Sequence, residues 1–531
     1  MTVIWFANLN ARKLIKTDEG RYAEIAREML VSGDWVTPRS NDFKYFYKPP
    51  LQYWATATAF ATLGVHDWTA RLWTALTGWL GILFCGFAAG RIWGQPIGVA
   101  AGAILTGSLY WIAMGHVSAL DMGLASFLSI AIFAFLLAQQ DDATARSRRV
   151  WMIAAWAAMA LAVLSKGLIG IVLPAGAIGL YILWQRDWSL IRRMHWLSGL
   201  TVFALLAAPW FILVSMRNPE FVEFFFIREH FMRFLTKIHG RAAPWWTFFP
   251  ILLAGTLPFT LGLWHAAREG IRRTPGHFQP VRLLSVWVVV VFAFFSLSSS
   301  KLPSYMLPIT PALAVLIAIP LMRCSTRALA WQWLPITGLG LIIMIMAYVW
   351  PTLGTRTEDV VPLAPAYAKW VIGAGLSLAA GSSIALLIAK SARRIGAITL
   401  LAFTGLVSGQ LLVTGHESFS PAHSSYHIAQ SIKLEITPDT ALFLVETYDH
   451  TLPFYLGRTM QLVAYKDELA SAIAWEPEKF IADYAAFERA WNEAPKAVAL
   501  MLPAKYDELA KRGLPMTVIA RDPRRVIVKR P

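Results

Sequence analysis

The sequence predicts a polytopic α-helical membrane protein: about twelve complete spans after a partial first one, with extracytoplasmic juxtamembrane helices and a small C-terminal α/β domain. Three observations predict it. Of 531 residues, 56% are hydrophobic and only 15% charged, where a soluble chain carries roughly a quarter charged. The apolar residues gather in runs of about 18–25, each enough to cross a hydrocarbon core of about 30 Å. The arginines between those runs fall on alternate connections, as the positive-inside rule requires.

Met1 to Leu9 is apolar, too short to span and has no basic flank before it. It reads as the last turns of a first span that begins upstream, and no cleavable signal peptide is visible. The expected spans are 69–93, 96–114, 117–139, 150–164, 168–184, 196–216, 246–266, 281–298, 303–322, 330–350, 368–389 and 395–414. Arg91, Arg146–Arg149, Arg186–Arg193, Arg268–Arg282, Arg323–Arg327 and Lys390–Arg394 bracket the short connections on one side. The other side holds little beyond Lys166, Lys301, Arg356 and Lys369. The first side is therefore cytoplasmic, and an even span count puts 10–68 and the tail 415–531 together outside. That bias also accounts for most of the +16 net charge, so nucleic acid is not an expected partner. Cys85 and Cys324 lie in or at the end of apolar runs, a usage that fits neither a disulfide framework nor a metal cluster.

Three outer regions are too long to be plain connectors. In 10–68, Tyr22, Ile25, Met29 and Leu30 fall on one helical face against Arg21, Glu24, Arg27 and Glu28, which predicts an amphipathic helix along the membrane surface. A second helix is expected from Leu51 to Leu63, after Pro49-Pro50. Segment 217–245 is dense in charge, from Arg217 through Arg228, Glu229, His230, Arg233 and Lys237 to Arg241. In the tail, apolar stretches at Ala441–Val445, Met460–Tyr465, Ala497–Leu502 and Val518–Val528 alternate with helix-like segments near 422–435, 478–492 and 503–512. A small α/β domain follows, which divides the chain into a membrane domain, 1–414, and a tail domain, 415–531.

Several charges stand where chemistry needs them. Asp18-Glu19 opens the first surface helix. Acids there complement the helix dipole, and a carboxylate at this height also orients an acceptor, takes its proton or holds a cation. Lys48 in Tyr47-Lys48-Pro49-Pro50 is either a snorkelling anchor or a point charge for a lipid phosphate. Lys166 and Lys301 end spans on the side where cations work against topology, which favours anion binding. Glu229, Arg233 and Lys237 repeat at i, i+4, either as a surface ion pair or as a guanidinium that grips phosphate. Asp121, near the outer end of a span, is a functional candidate by position, though a neighbouring cation would also satisfy it. No Gly-rich nucleotide loop occurs, so a transferase working outside must take its sugar from a lipid carrier.

The strings Asp-Glu-Gly-Arg-Tyr-Ala-Glu-Ile (18–25), Ser-Gly-Asp-Trp (32–35) and Tyr-Lys-Pro-Pro-Leu-Gln-Tyr-Trp (47–54) resemble a known family. So do Leu120–Gly123, Leu164–Gly167, Glu229–Phe234, Lys301–Tyr305, Tyr448-Asp449 and Leu452–Arg458. Together they resemble the GT-C-type lipid-A aminoarabinose transferases and their protein-mannosyltransferase relatives. The resemblance implies thirteen spans in a bacterial inner membrane, with the site and the C-terminal domain on the periplasmic side. It implies an undecaprenyl-phosphate-linked sugar, aminoarabinose-like or hexose, as donor, and lipid A, a glycan or a protein as acceptor. Asp18 would be the essential carboxylate and Asp121 a second acid. Lys48 and Arg233 would hold the donor phosphate with Tyr305 and Lys301, and Arg21 would support the loop around Asp18. Family members often carry Glu where this chain has Tyr47 and His where it has Arg228. Both are proposed ligands of a divalent metal, so no metal ligand is expected here. Rival readings are a protein O-mannosyltransferase, a lipid-linked-sugar transporter and a non-catalytic envelope assembly protein.

Overall fold

The computed structural model describes residues 1–232, 243–273, 276–349, 363–391, 393–522 and 524–531. The chain is mostly helical. Among the described residues nine helices are long and apolar enough to cross a membrane, from Asp67–Trp93 to Arg394–His423, and ten if one bent pair counts as a single span.

Among the described residues each of the twelve expected segments is mainly helical, but three are not simple spans. Segment 96–114 is the pair Gln95–Gly107 and Leu109–Gly115, bent by 63°. The chain extends at Ser108, whose successor Leu109 bonds through its N–H to the Leu257 carbonyl. Segment 168–184 is the short apolar helix Ile169–Gln185. Segment 246–266 breaks between Gly255 and Gly262, around Pro258, which lacks an N–H and disfavours helix at the residue before it. An apolar run records what lipid or core tolerates and is blind to such breaks. Within the bundle, small residues let backbones meet. A Cβ on Gly98 would lie 2.5 Å from the Gly86 carbonyl oxygen and 2.6 Å from the Gly90 Cα, so the hairpin of Asp67–Trp93 with Gln95–Gly107 needs glycine there.

The region 10–68 holds helix Asp18–Ser32, a short antiparallel hairpin of β1 (Arg39–Ser40) and β2 (Phe43–Lys44), and helix Leu51–Leu63. The second helix matches expectation. The first requires a correction, because its charged face does not look into water. Glu24, Arg27 and Glu28 are all buried. Arg27 pairs with Glu24 at 2.6 Å and donates to the Gly457 carbonyl, while Glu28 accepts the backbone N–H groups of Asn41 and Asp42. Tyr22, Ile25 and Met29 pack with Tyr53 and Phe60 and with Leu442, Leu444 and Leu462 of the tail. Tertiary cover thus reaches both faces, and the helical period alone could not reveal the second.

The tail forms a six-stranded sheet in the order β5–β4–β3–β6–β8–β7. The strands are β3 Ala441–Val445, β4 Gln461–Val463, β5 Phe480–Ile481, β6 Ala497–Met501, β7 Thr517–Arg521 and β8 Val526–Lys529. β5, β4, β3 and β6 run parallel, and β8 lies antiparallel to both of its neighbours, β6 and β7. β5 is two residues long, too short to leave a pattern. Period-2 alternation sends Phe443, Val445, Ala499 and Met501 towards Phe487 and Trp491 of helix Tyr484–Glu493. Leu442, Leu444, Val498 and Leu500 go to the opposite face, against helix Asp18–Ser32.

A buried ionic knot ties these parts together. Glu19 has no side-chain exposure. Arg71, from the span Asp67–Trp93, grips both of its oxygens at 2.8 Å, and Arg12 adds contacts of 3.3 and 3.5 Å. Glu19 also accepts the N–H groups of Ile15 and Ser118. Arg71 spends its remaining donors on the carbonyls of Leu9, Arg12 and Lys13. Burial opposes the Glu19 charge, yet the two guanidinium groups outweigh it and hold the carboxyl well below the usual range. In the tail, burial likewise opposes the charge of Asp449, and Arg525 with Ser425 prevails.

Carboxyls held low contribute stability above their unfolded value of about 4 and lose it as pH falls through the folded value. The unfolding temperature in detergent is therefore expected to fall below about pH 4. Glu19→Gln should flatten part of that fall and cost about 3–5 kcal/mol at neutral pH, because two buried guanidinium groups lose their counter-charge. An unchanged midpoint at pH 7 would refute the structural role given to Glu19.

Candidate active site

Asp18 and Glu19 are neighbours with opposite fates. Asp18 begins the helix Asp18–Ser32 and leaves 54% of its side chain exposed. One turn on, Arg21 places Nη1 3.4 Å from the Asp18 carboxylate. Its Nη2 reaches Glu468 of the tail at 2.5 Å and stands 3.2 Å from His450 Nε2. His450 in turn is 2.5 Å from the other Glu468 oxygen.

Aromatic rings wall this cluster. The Arg21 guanidinium lies 5.8 Å from the Tyr45 ring centroid, and Tyr45 packs on Tyr47 at 4.9 Å. The Tyr47 hydroxyl donates to the Glu468 carbonyl at 2.7 Å. Burial, with Glu229 adding to it against Arg228, pushes the Tyr47 phenol up to about 12, so it stays a neutral donor. Burial raises Tyr45 further still. Tyr53 is fully buried beneath, and its hydroxyl has no hydrogen-bond partner among the described residues.

The second acid stands on the next pinned turn. Asp121 lies in the first turn of Leu120–Ala138, three residues after Ser118, whose N–H Glu19 accepts. Asp121 and Lys166, the last residue of Ala145–Lys166, pair at 2.6 Å. The Lys166 ammonium is also 5.3 Å from the Tyr305 ring centroid, and Tyr305 stacks on Phe295 at 4.6 Å. Asp121, Lys166 and Tyr305 are therefore one group. Lys301 donates to the Ser298 carbonyl. Lys48 is half-buried in the turn before Leu51–Leu63. Arg233 and Lys237 lie outside the described residues.

The residues at the departures from the family pattern do not suit a cation. Tyr47 is a neutral phenol engaged as a donor. Arg228 is itself a cation, bonded to Ser471 Oγ at 2.6 Å and 5.6 Å from the Phe224 ring centroid. Among the described residues no group of three or more His, Cys, Asp or Glu is arranged to hold a metal ion.

Sequence reasoning took Glu19 only as one of an acidic pair with Asp18, and it missed Arg12, Arg71, His450 and Glu468. Arg71 had a signal: an arginine at the end of a span where the charge bias expects few cations stands out, just as Lys166 does. His450 adjoins the quoted Tyr448-Asp449. Glu468 carried no signal, since only the fold brings it to Arg21, 447 residues away.

Comparison with known proteins fits this arrangement. Residues 1–225 match the dolichyl-phosphate-mannose-protein mannosyltransferase family, and residues 428–530 match the aminoarabinose transferase C-terminal domain. The undecaprenyl phosphate-alpha-4-amino-4-deoxy-L-arabinose arabinosyl transferase of Erwinia tasmaniensis is 32% identical over 58% of this chain and 56% of its own. Its counterpart in Shewanella sediminis is 32% identical over 60% of this chain and 57% of its own. The aligned part thus spans less than two thirds of these curated relatives. The crystal structure of ArnT from Cupriavidus metallidurans bound to undecaprenyl phosphate is 38% identical and superposes with a TM-score of 0.94, covering 99% of this chain and 96% of that one. With its fold matched over nearly all of both chains at that identity, the chain belongs to the ArnT family of GT-C lipid-A aminoarabinose transferases.

Proposed function

We propose that the chain transfers an aminoarabinose-type sugar from undecaprenyl phosphate to a lipid-A-type acceptor at the periplasmic face of a bacterial inner membrane. One observation carries the reading: the turn of Asp18 and the turn of Asp121 are pinned to each other through Glu19 and Ser118, each acid with its own cation. The names of the curated relatives and the lipid bound to the Cupriavidus protein support the substrate. The one-sided arginines support the orientation. Thirteen spans counting the stub, a membrane domain over 1–414 and a periplasmic domain over 415–531 belong to the same proposal.

In this mechanism an acceptor oxygen attacks the anomeric carbon of the sugar. The bond from that carbon to the phosphate oxygen breaks, and undecaprenyl phosphate leaves. Lys48, Lys166, Lys301 and Arg233 stabilise the charge on that phosphate, and Tyr305 lines the group that holds Lys166; electrostatic stabilisation of this kind is usually the largest catalytic contribution. An acceptor phosphate is already an anion and needs no base, so Asp18 positions it or the sugar amine. A hydroxyl acceptor would make Asp18 the general base. Asp121 holds Lys166 in place. The match of residues 1–225 to protein mannosyltransferases favours, as a second reading, a protein acceptor.

Mass spectrometry of lipid A and of envelope proteins, from cells with and without the protein, tests the acceptor. The sugar should appear on lipid A, and its appearance on protein alone would replace the first reading by the second. Asp18→Asn should lower transfer by about 10²–10⁴-fold with expression unchanged, and turnover at the wild-type rate would refute the assignment. Lys166→Ala should reduce turnover at least about tenfold, the loss of one charge-assisted contact of about 1.5–3 kcal/mol, while Lys166→Arg retains part of it. Wild-type activity in both variants would remove Lys166 from the site. The native protein should turn over fully after chelation, and Tyr47→Glu with Arg228→His should gain bound zinc by elemental analysis. Tight zinc in the unaltered protein would overturn that view.

A further inference from the structure

The contact between Asp18 and Arg21 is too weak to set its own geometry. At 3.4 Å, with Asp18 more than half exposed, such a pair is worth little. Arg21 is nonetheless mostly buried, at 11% exposure, and its firmest partner belongs to the tail: Glu468 at 2.5 Å, which at 26% is less exposed than Asp18. Glu468 is in turn braced by His450 at its side chain and by the Tyr47 hydroxyl at its carbonyl.

The chain is shaped to bring this pair close. A Cβ on Gly20 would lie 2.5 Å from the His450 carbonyl oxygen and 2.6 Å from Thr451 Cγ2. Only glycine there lets the 449–451 turn rest on the first turn of the helix that carries Asp18 and Arg21. That turn is fixed from behind by Asp449, which accepts the N–H groups of Thr451 and Leu452 and pairs with Arg525. Elsewhere the tail is tied down independently, by Tyr455 donating to Asp67 at 2.7 Å.

We propose that the C-terminal domain completes the active site, with His450 and Glu468 acting as positioning residues that hold Arg21 against Asp18. The proposal rests on the reading of Asp18 as the essential carboxylate. A displacement near 1 Å at such a site costs about 10²-fold in rate, so removing the brace should appear in kcat rather than in binding.

The test compares Glu468→Gln, His450→Ala, His450→Gln, Gly20→Ala and Tyr455→Phe in the full-length protein, with donor KM, kcat and detergent unfolding temperature measured for each. Glu468→Gln, His450→Ala and Gly20→Ala should lower kcat about 10–100-fold, with donor KM within a factor of two to three. His450→Gln, which keeps a donor for Glu468, should recover part of the loss. Tyr455→Phe should lower the unfolding temperature and leave kcat at the wild-type value. Wild-type kcat in Glu468→Gln, or losses that follow the unfolding temperature across the set with Tyr455→Phe included, would overturn the proposal. An experimental structure of Glu468→Gln supplies a readout free of turnover: Arg21 should leave Asp18, and an undisturbed Arg21 would overturn the inference. Wild-type protein that transfers nothing would instead sink the functional reading, and that structure would still decide the brace.

Discussion

The Glu19 carboxylate is withdrawn from water between two guanidinium groups, and it receives the backbone N–H groups of Ile15 and Ser118 as well. Taking an ion out of water costs several kcal/mol, repaid only when geometry and hydrogen bonding are close to complete. Here they are. Each oxygen accepts from Arg12, from Arg71 and from one backbone N–H. The same site joins the chain leaving Met1–Leu9, the N-terminal end of the span Asp67–Trp93 and the 116–118 turn that precedes Leu120. A packed apolar cluster could match the energy of such a knot, but it could not choose which backbone groups meet. Both candidate acids stand within a few residues of it, so their spacing is inherited from it.

The tail then closes over what the knot has fixed. Helix Asp18–Ser32 lies between helix Leu51–Leu63 on one side and the sheet on the other, which is why it tolerates buried Glu24, Arg27 and Glu28. Each of those charges is matched: Glu24 with Arg27, Arg27 with the Gly457 carbonyl, and Glu28 with two N–H groups of the 41–42 turn. Asn41 extends the seam by exchanging hydrogen bonds with both the N–H and the carbonyl of Met460. Buried polar groups are costly unless satisfied, and satisfied ones specify a single docking. The tail is held at one orientation rather than simply stuck to the membrane domain.

Much of this was legible in the sequence, because the forces concerned leave periodic traces. Apolar runs marked twelve helical segments, short apolar stretches between helix-like segments marked the strands at 441–445 and 497–501, and Pro49-Pro50 marked the start of the helix at Leu51. Breaks were not legible. Ser108 interrupts an apolar run without changing its hydropathy, and Pro258 sits in a run that composition alone reads as continuous. Nor was the second cover on helix Asp18–Ser32, since a charged stripe reads the same whether water or a matched set of partners faces it. At the site, Asp121 and Lys166 announced themselves by standing at the ends of spans, where charge is expensive, and Asp18 by its place in the Asp-Glu-Gly-Arg-Tyr string. Glu468 and His450 did not, being ordinary residues in a domain where charge is cheap.

The adjacent acids Asp18 and Glu19 show how one dipeptide serves structure and chemistry at once. Successive helical residues point about 100° apart, so a helix that buries one of the pair turns the other towards its rim. Glu19 faces the bundle, where Arg71 and Arg12 keep it ionised and immobile. Asp18 faces the aromatic wall and open space, where its remaining lone pairs stay available. Freedom in Asp18 is useful only if its neighbours do not move, and that rigidity has two sources on opposite sides of the helix: the buried carboxylate of Glu19 next to it in sequence, and the Arg21–Glu468–His450 brace from the far end of the chain. Removing either would leave an acid of unchanged chemistry in an undefined place. The site is thus built less by the groups that react than by the ionic contacts on either side that forbid them to wander.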